Sequence, residues 1–349
     1  PEDFVGCFVT GATMSNFAGL AAARQWLGMQ HGVDIAADGM AALQGLKVLS
    51  AAPHSCIGKA MSMLGLGRNN LVRLPVLPGR ECVDIPALKS YLDEHKGQPF
   101  IYVANAGTVN TVDFDDIAAL AELAKEYGFW LHVDAAFGGF AACSAQWKHL
   151  LNGWEQANSI TIDAHKWLNV PYDAAMIFCR HPEWQHAVFQ NAGAAYLGDP
   201  GARFNFISNV PENSRRLRAL PAWFSLMAYG KEGYGRLVEN NIALAQQLGR
   251  LLEADTDFVL LSPVRLCVVC FTLNVPAASE TAAVSEYLDA LNATGIVCMT
   301  ATVYQGRQAI RAALVNWRTT EKDVTMVYDT MKQLAGKIMN QYSHAEIKY

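Results

Sequence analysis

No surplus of positive charge runs through this sequence: 27 lysines and arginines stand against 32 aspartates and glutamates, a net charge of −5. Without a basic stripe nothing neutralises a run of phosphates, which argues against a dedicated nucleic-acid binder. No apolar run is long enough to span a bilayer, so no membrane partner is expected. The opening residues do not read as a signal peptide, and the expected location is the cytoplasm. Cysteine is sparse and scattered, at 7, 56, 82, 143, 179, 267, 270 and 298. The CxxC of Cys267 and Cys270 lies in the strand-like RLCVVCFTLNV, where a spacing of three puts the side chains on opposite faces. No second CxxC or histidine pair stands at metal-ligand spacing, so reduced buried thiols are expected and no metal site. Internal repeats and low-complexity linkers are also missing. What remains is a chain of 349 residues, 52% apolar and 17% charged. That suffices for a full α/β core with a second, smaller domain.

The first two thirds alternate strand-like and helix-like segments, the pattern of a mostly parallel sheet with crossover helices on both faces. Strands are expected at 46–52, 71–76, 100–106, 129–136, 159–166 and 174–180. Helices are expected at 11–28, 55–64, 84–94 and 115–127, with Asp84 as N-cap and Pro86 in the first turn. Past Pro221 the pattern becomes that of a small α+β domain. It has helices at 223–229, 235–254, 280–293 and 320–342, and strands at 257–261, 266–274, 296–299 and 309–314. The boundary falls near 210–235, giving domains 1–220 and 221–349. The chain enters a dense glycine-serine turn from Pro1-Glu2-Asp3 with no preceding helix or strand, so the N-terminal part of a longer protein is expected to be absent.

Four local groups carry chemistry. Lys166, in DAHKWL, follows a strand among apolar residues, where an ammonium is costly to desolvate; an imine with an aldehyde cofactor removes that charge. The ordinary alternative is a lysine snorkelling past Trp167. Asp134 ends the strand WLHV, where functional groups collect in open parallel sheets. A carboxylate there can pair with a protonated pyridine nitrogen, or serve simply as a turn aspartate. The turn TGATMSN opens a helix and makes an anion site, or an ordinary helix start. His54, just past a strand, can stack on a flat ring or merely cap a helix.

The order of these groups, and the stretches GATMSN, APHSCIGKAMSMLG, NAGTVNTVDFDDI, WLHVDAAFGG, SITIDAHKWLNVPYDAA and ENSRRLRALPAWFSLMAYGKEGY, resemble the group II pyridoxal 5′-phosphate (PLP) amino-acid decarboxylases of fold type I. Aromatic L-amino acid, glutamate, histidine and 2,4-diaminobutyrate decarboxylases belong to that family. The resemblance implies that Lys166 forms the Schiff base, Asp134 partners the pyridine nitrogen, His54 stacks on the ring and Ala136 packs on its other face. It places Ser15, Ser159 and the Met14 amide on the phosphate, with His165 and Asp163 near the phosphate or the lysine. Asn105, Thr108 and Asn110 would line the ring and substrate-carboxylate side. It further implies a homodimer with shared active sites, fitting the apolar helix around Trp223, Phe224 and Met227. The implied reaction is decarboxylation of an L-amino acid, one with an aromatic or other uncharged side chain since no extra basic cluster awaits an acidic one.

Three other readings stay open. An aminotransferase would use a similar lysine and aspartate with an arginine clamp, for which Arg311 is available. A non-catalytic homologue would hold the cofactor poorly. Finally, the family's loop tyrosine, which protonates the carbanion, has no counterpart after Tyr196; counting back from Arg215, Phe206 falls near its position. A phenyl ring donates no proton, and the product would then be an aldehyde with ammonia and hydrogen peroxide.

Overall fold

A computed structural model describes residues 3–191 and 205–343. The described residues form two compact units, one of 1–108 with 113–235 and one of 109–112 with 236–349. The division falls after Gly235, and the second unit also takes in 109–112, an excursion of the chain that sequence pattern does not signal.

The first unit is built on a seven-stranded sheet. Its strands are β1 (Val5–Val9), β2 (Lys47–Ser50), β3 (Leu71–Arg73), β4 (Phe100–Asn105), β5 (Trp130–Asp134), β6 (Ser159–Asp163) and β7 (Ala175–Cys179). The spatial order is β1-β7-β6-β5-β4-β2-β3. Strands β3, β2, β4, β5 and β6 pair in parallel, whereas β7 is antiparallel to both β6 and β1. Two reversals cancel, so β1 runs in the same direction as β6, and Gly11 emerges at the edge where β4, β5 and β6 end. β1 corrects the expectation that nothing precedes the glycine-serine turn: Cys7 and Val9 are buried in it. Strands β4 and β5 are buried along their whole length, as a central parallel strand requires.

The helices between these strands are α1 (Ala12–Gln30), α2 (Ile35–Asp38), α3 (Ser55–Met63), α4 (Ile85–Glu94), α5 (Ile117–Tyr127), α6 (Ala164–Trp167) and α7 (Pro182–Phe189). Asp84 caps α4 through the Ala87 amide with proline in the first turn, and Asp116 caps α5 through Ala119. Both are local signals read from sequence. α1 lies on the sheet face that carries Trp130 and His132. The Trp26 and Trp130 rings meet at 5.7 Å, and a Cβ on Gly19 would come within 2.5 Å of the His132 ring.

α8 (Ala219–Glu253) joins the two helices expected at 223–229 and 235–254, with a break at Gly230, where φ is 58°. The second unit has the antiparallel sheet β10-β11-β9-β8, made of β8 (Phe258–Leu260), β9 (Val268–Leu273), β10 (Thr300–Tyr304) and β11 (Arg307–Ala313). With it go α9 (Glu280–Ala293) and α10 (Glu321–Ser343). β10 starts four residues later than the strand expected at 296–299. The four-residue excursion belongs here: Asn110 accepts a hydrogen bond from the Thr302 hydroxyl at 2.8 Å and donates to the Val303 carbonyl at 3.4 Å. The chain returns through Val112, buried and at φ 49°, a backbone a β-branched residue rarely adopts. None of the eight cysteines forms a disulfide among the described residues, and Cys267 and Cys270 are buried.

The loop from β4 to α5 is pinned by two buried carboxylates. Asp113 takes a bidentate pair from Arg80, both bonds 2.7 Å. Asp115 accepts the Val83 and Asn105 amides at 2.7 and 2.8 Å, fixing the end of β4. Burial pushes the Asp115 carboxyl from 3.8 up to about 6, against the opposing effect of those amides. The folded chain therefore holds this proton more tightly than the unfolded chain. The resulting stability is complete below 3.8 and is lost as pH rises through about 6. Urea unfolding of the native chain and Asp115→Asn across this window should show the native chain losing ground to the variant as pH rises, with a constant gap above it. A gap that does not change through the window would contradict the assignment.

Candidate active site

The carboxyl ends of the parallel strands bring the four sequence groups to one edge. Asn105 and Asp134 end β4 and β5 as a register pair, Asp134 is paired with Thr161 on β6, and Asp163 ends β6. His54 follows β2 as the N-cap of α3, and Gly11 opens α1. Cys56, in the first turn of α3, accepts from Asn16 Nδ2 at 3.3 Å. Burial, then the Asp134 charge, pushes its thiol up to about 12, so it serves as a neutral packing group.

Asp134 is 9% exposed. Oδ2 accepts from Asn16 Nδ2 at 2.9 Å and Oδ1 from the Ala136 amide at 3.2 Å. Each oxygen therefore has a donor. Lys166 sits in the single turn α6 rather than on the strand expected at 159–166. Its Nζ is 3.4 Å from Asp163 Oδ2 and 3.9 Å from the centre of the Phe137 ring. A carboxylate and a π-face thus compensate the ammonium. Asp163 is 3% exposed, and burial raises its carboxyl against the pull of Lys166 and His165. His165 Nδ1 lies 3.1 Å from Asp163 Oδ1 but out of line for a hydrogen bond, with its ring against Tyr172.

His54 is exposed, and its Nδ1 accepts the Cys56 amide at 3.3 Å, so the neutral ring carries its proton on Nε2. Ala136 is 8% exposed in the turn after Asp134. That turn needs Gly138, where a Cβ would stand 2.4 Å from the Ala106 carbonyl.

The hydroxyls expected on a phosphate are elsewhere. Ser15 is fully buried, donating to the Met176 carbonyl at 2.9 Å and bonding Thr161 at 2.8 Å. Ser159, at the opposite end of β6 from Lys166, is fully buried between Trp130 Nε1 and His132 Nδ1. The Met14 and Ser15 amides both bond the Gly11 carbonyl. This leaves the amides of Ala12 and Thr13, ahead of the first intrahelical bonds, to face an anion. Open space lies beside Gly11. Thr108 is 3% exposed, with its hydroxyl bonded to Glu81 and accepting the Asp113 amide, so it braces the loop. Asn105 is turned to Asp115. Asn110 and Arg311 belong to the second unit. Phe206, 53% exposed, begins a 3-10 turn capped by Asn205. The segment from Tyr196 to Arg203 lies outside the described residues.

Sequence reading passed over His132 and Phe137, and took Thr13 and Asn16 only as members of the turn TGATMSN. The available signal was alternation: Trp130, His132 and Asp134 share one face of β5, so a polar residue two before the aspartate had to lie beside it. A separated amine, a donor-lined carboxylate and a helix mouth with open space beside it fit the aldehyde, ring nitrogen and phosphate of PLP.

The chain is 27% identical over 353 residues to an aromatic-L-amino-acid decarboxylase of Bacillus atrophaeus, covering 98% of the chain and 71% of the relative. It is 28% identical over 251 residues to a phenylacetaldehyde synthase of Arabidopsis thaliana, covering 70% of the chain and 51% of that relative. The solved structure of Oryza sativa TDC with PLP and tryptamine superposes with a TM-score of 0.87 at 24% identity, over 96% of this chain and 71% of that one, a likeness of fold. The conserved domain of pyridoxal-dependent decarboxylases matches residues 2–274. By that match, over most of its length, the chain belongs to the pyridoxal-dependent decarboxylase family.

Proposed function

We propose that this chain decarboxylates an uncharged, aromatic L-amino acid to its amine and carbon dioxide, working as a cytoplasmic homodimer with PLP. The observation that carries the reading is the meeting of three elements at one sheet edge: Asp134 ends β5 and is held by Asn16 of α1, and Lys166 stands beside Asp163 at the end of β6. When bound, PLP supplies the electron sink. Lys166 Nζ would hold its aldehyde carbon. Asp134 would keep a proton on the ring nitrogen, and the Ala12 and Thr13 amides would hold the phosphate. The His54 ring, with its proton on Nε2, would lie over the cofactor and orient the substrate carboxylate. Phe137 and the Asp163 carboxylate receive the ammonium of Lys166 when it is not engaged.

Borohydride reduction of the yellow holoprotein should fix the cofactor on the peptide carrying Lys166. A label on any other lysine would refute its role.

Phe206 and the Arabidopsis relative's name give the oxidative outcome a specific basis. Incubation with aromatic amino acids under air, assaying amine, aldehyde and peroxide together, separates the two reactions. Stoichiometric amine without oxygen uptake is the expected result, while peroxide that falls in Phe206→Tyr would replace it with aldehyde formation.

The homodimer rests on exposed apolar residues just before and along the first turns of α8. Leu217 and Met227 are both 68% exposed, Phe224 59% and Trp223 54%. Sedimentation of the holoprotein should give a dimer at micromolar concentration, and an active monomer would refute it.

A further inference from the structure

Behind Asp134 lies a chain of buried polar groups whose donors and acceptors can be assigned one by one. Trp130 Nε1 can only donate, and it does so to Ser159 Oγ at 2.9 Å. Ser159 has one proton, and its remaining partner is His132 Nδ1 at 2.7 Å. Nδ1 is therefore an acceptor, and the imidazole proton sits on Nε2, 2.8 Å from Asn16 Oδ1. Asn16 Nδ2 then donates to Asp134 Oδ2 at 2.9 Å. A side branch requires the same tautomer. Ser15 donates to the Met176 carbonyl, so Thr161 donates to Ser15, leaving Thr161 Oγ1 to accept from His132 Nε2 at 3.4 Å.

We propose that His132 is a positioning residue for Asp134. Backed by Ser159 and Trp130, its Nε2–H fixes which end of the Asn16 amide faces the carboxylate. An asparagine side chain can rotate its oxygen into the place of its nitrogen with little change in shape. Turned the wrong way, Asn16 would set an oxygen against Asp134 instead of a donor. His132 prevents this because its Nε2–H needs the Asn16 oxygen.

The site is built for that ring. Trp130, His132, Ser159 and Asn16 are fully buried. A Cβ on Gly19 would stand 2.6 Å from His132 Nδ1 and 3.2 Å from Ser159 Oγ, so α1 rests directly on the link between them. Burial pulls the His132 imidazole down to about 4, in keeping with a neutral ring that both accepts and donates.

This inference rests on the reading that Asp134 meets the ring nitrogen, and the experiment separates the two. The probes are PLP and its analogue with C–H in place of the ring nitrogen, bound to the full chain and followed by quenching of tryptophan fluorescence. The native chain should prefer PLP. In Asn16→Leu and His132→Leu that preference should shrink about tenfold, the scale of one hydrogen bond to a charged group. Ser159→Ala should shrink it less, and Ser159→Thr should restore it. A native chain without preference would overturn the Asp134 reading itself. Folded variants that keep the native preference, or lose affinity for both probes equally, would overturn the role of His132. Nitrogen-15 histidine spectra of the native chain test the relay without any substitution: His132 should show Nδ1 bare and Nε2 protonated, and the opposite tautomer would refute the assignment.

Discussion

A carboxylate held at the end of a fully buried strand must be met by donors, because an uncompensated charge there costs several kcal/mol, of order 3–5. Asp134 is that carboxylate, and much of the first unit follows from it. Its donors come from the Ala136 amide and from Asn16, and Asn16 can reach it only if α1 crosses the sheet against β5. For α1 to lie so close, position 19 must carry no Cβ. For α1 also to present its open amides at the same edge, the strand before it must run with β6, which the two antiparallel pairings around β7 accomplish. One charge thus links a glycine, a helix path and the placement of an edge strand.

Much of this architecture was legible because it rests on local chemistry. Continuous apolar runs marked β4 and β5, and the Asp84-Ile85-Pro86 start marked α4. Lys166 and Asp134 stood out because charges at strand ends in apolar surroundings demand an explanation. Residue type alone was a poor guide to the hydroxyls. Ser15 and Ser159 read as phosphate ligands, yet the direction of a hydroxyl depends on which strand lies opposite. Pairing of His132 with Ser159 turns the latter inward. β1 escaped notice because five residues with a glycine carry little strand signal, and its partner β7 lies far along the chain. Thr108 looked like a site residue by its place in a motif, but its partner, Glu81, sits in a loop whose course only the fold determines.

The relay behind Asp134 also bears on how a buried polar network is tolerated. Each member has a partner of opposite hydrogen-bonding character, so no donor or acceptor along the line is left over. Fully satisfied networks of this kind specify one arrangement, whereas a network with a single gap is worse than an apolar core. The indole at one end and the carboxylate at the other are each limited to one sense, donor and acceptor, and they give the line its direction.

The excursion at Val109–Val112 has a consequence for inheritance. The bond between Asn110 and Thr302 joins residues 192 positions apart, yet both belong to the second unit. No continuous stretch of coding sequence therefore specifies that unit. A recombination event between relatives anywhere from residue 113 to residue 301 would deliver Thr302 from one parent and Asn110 from the other. Chimaeras crossed there begin with a mismatched pair unless both parents carry the same two residues.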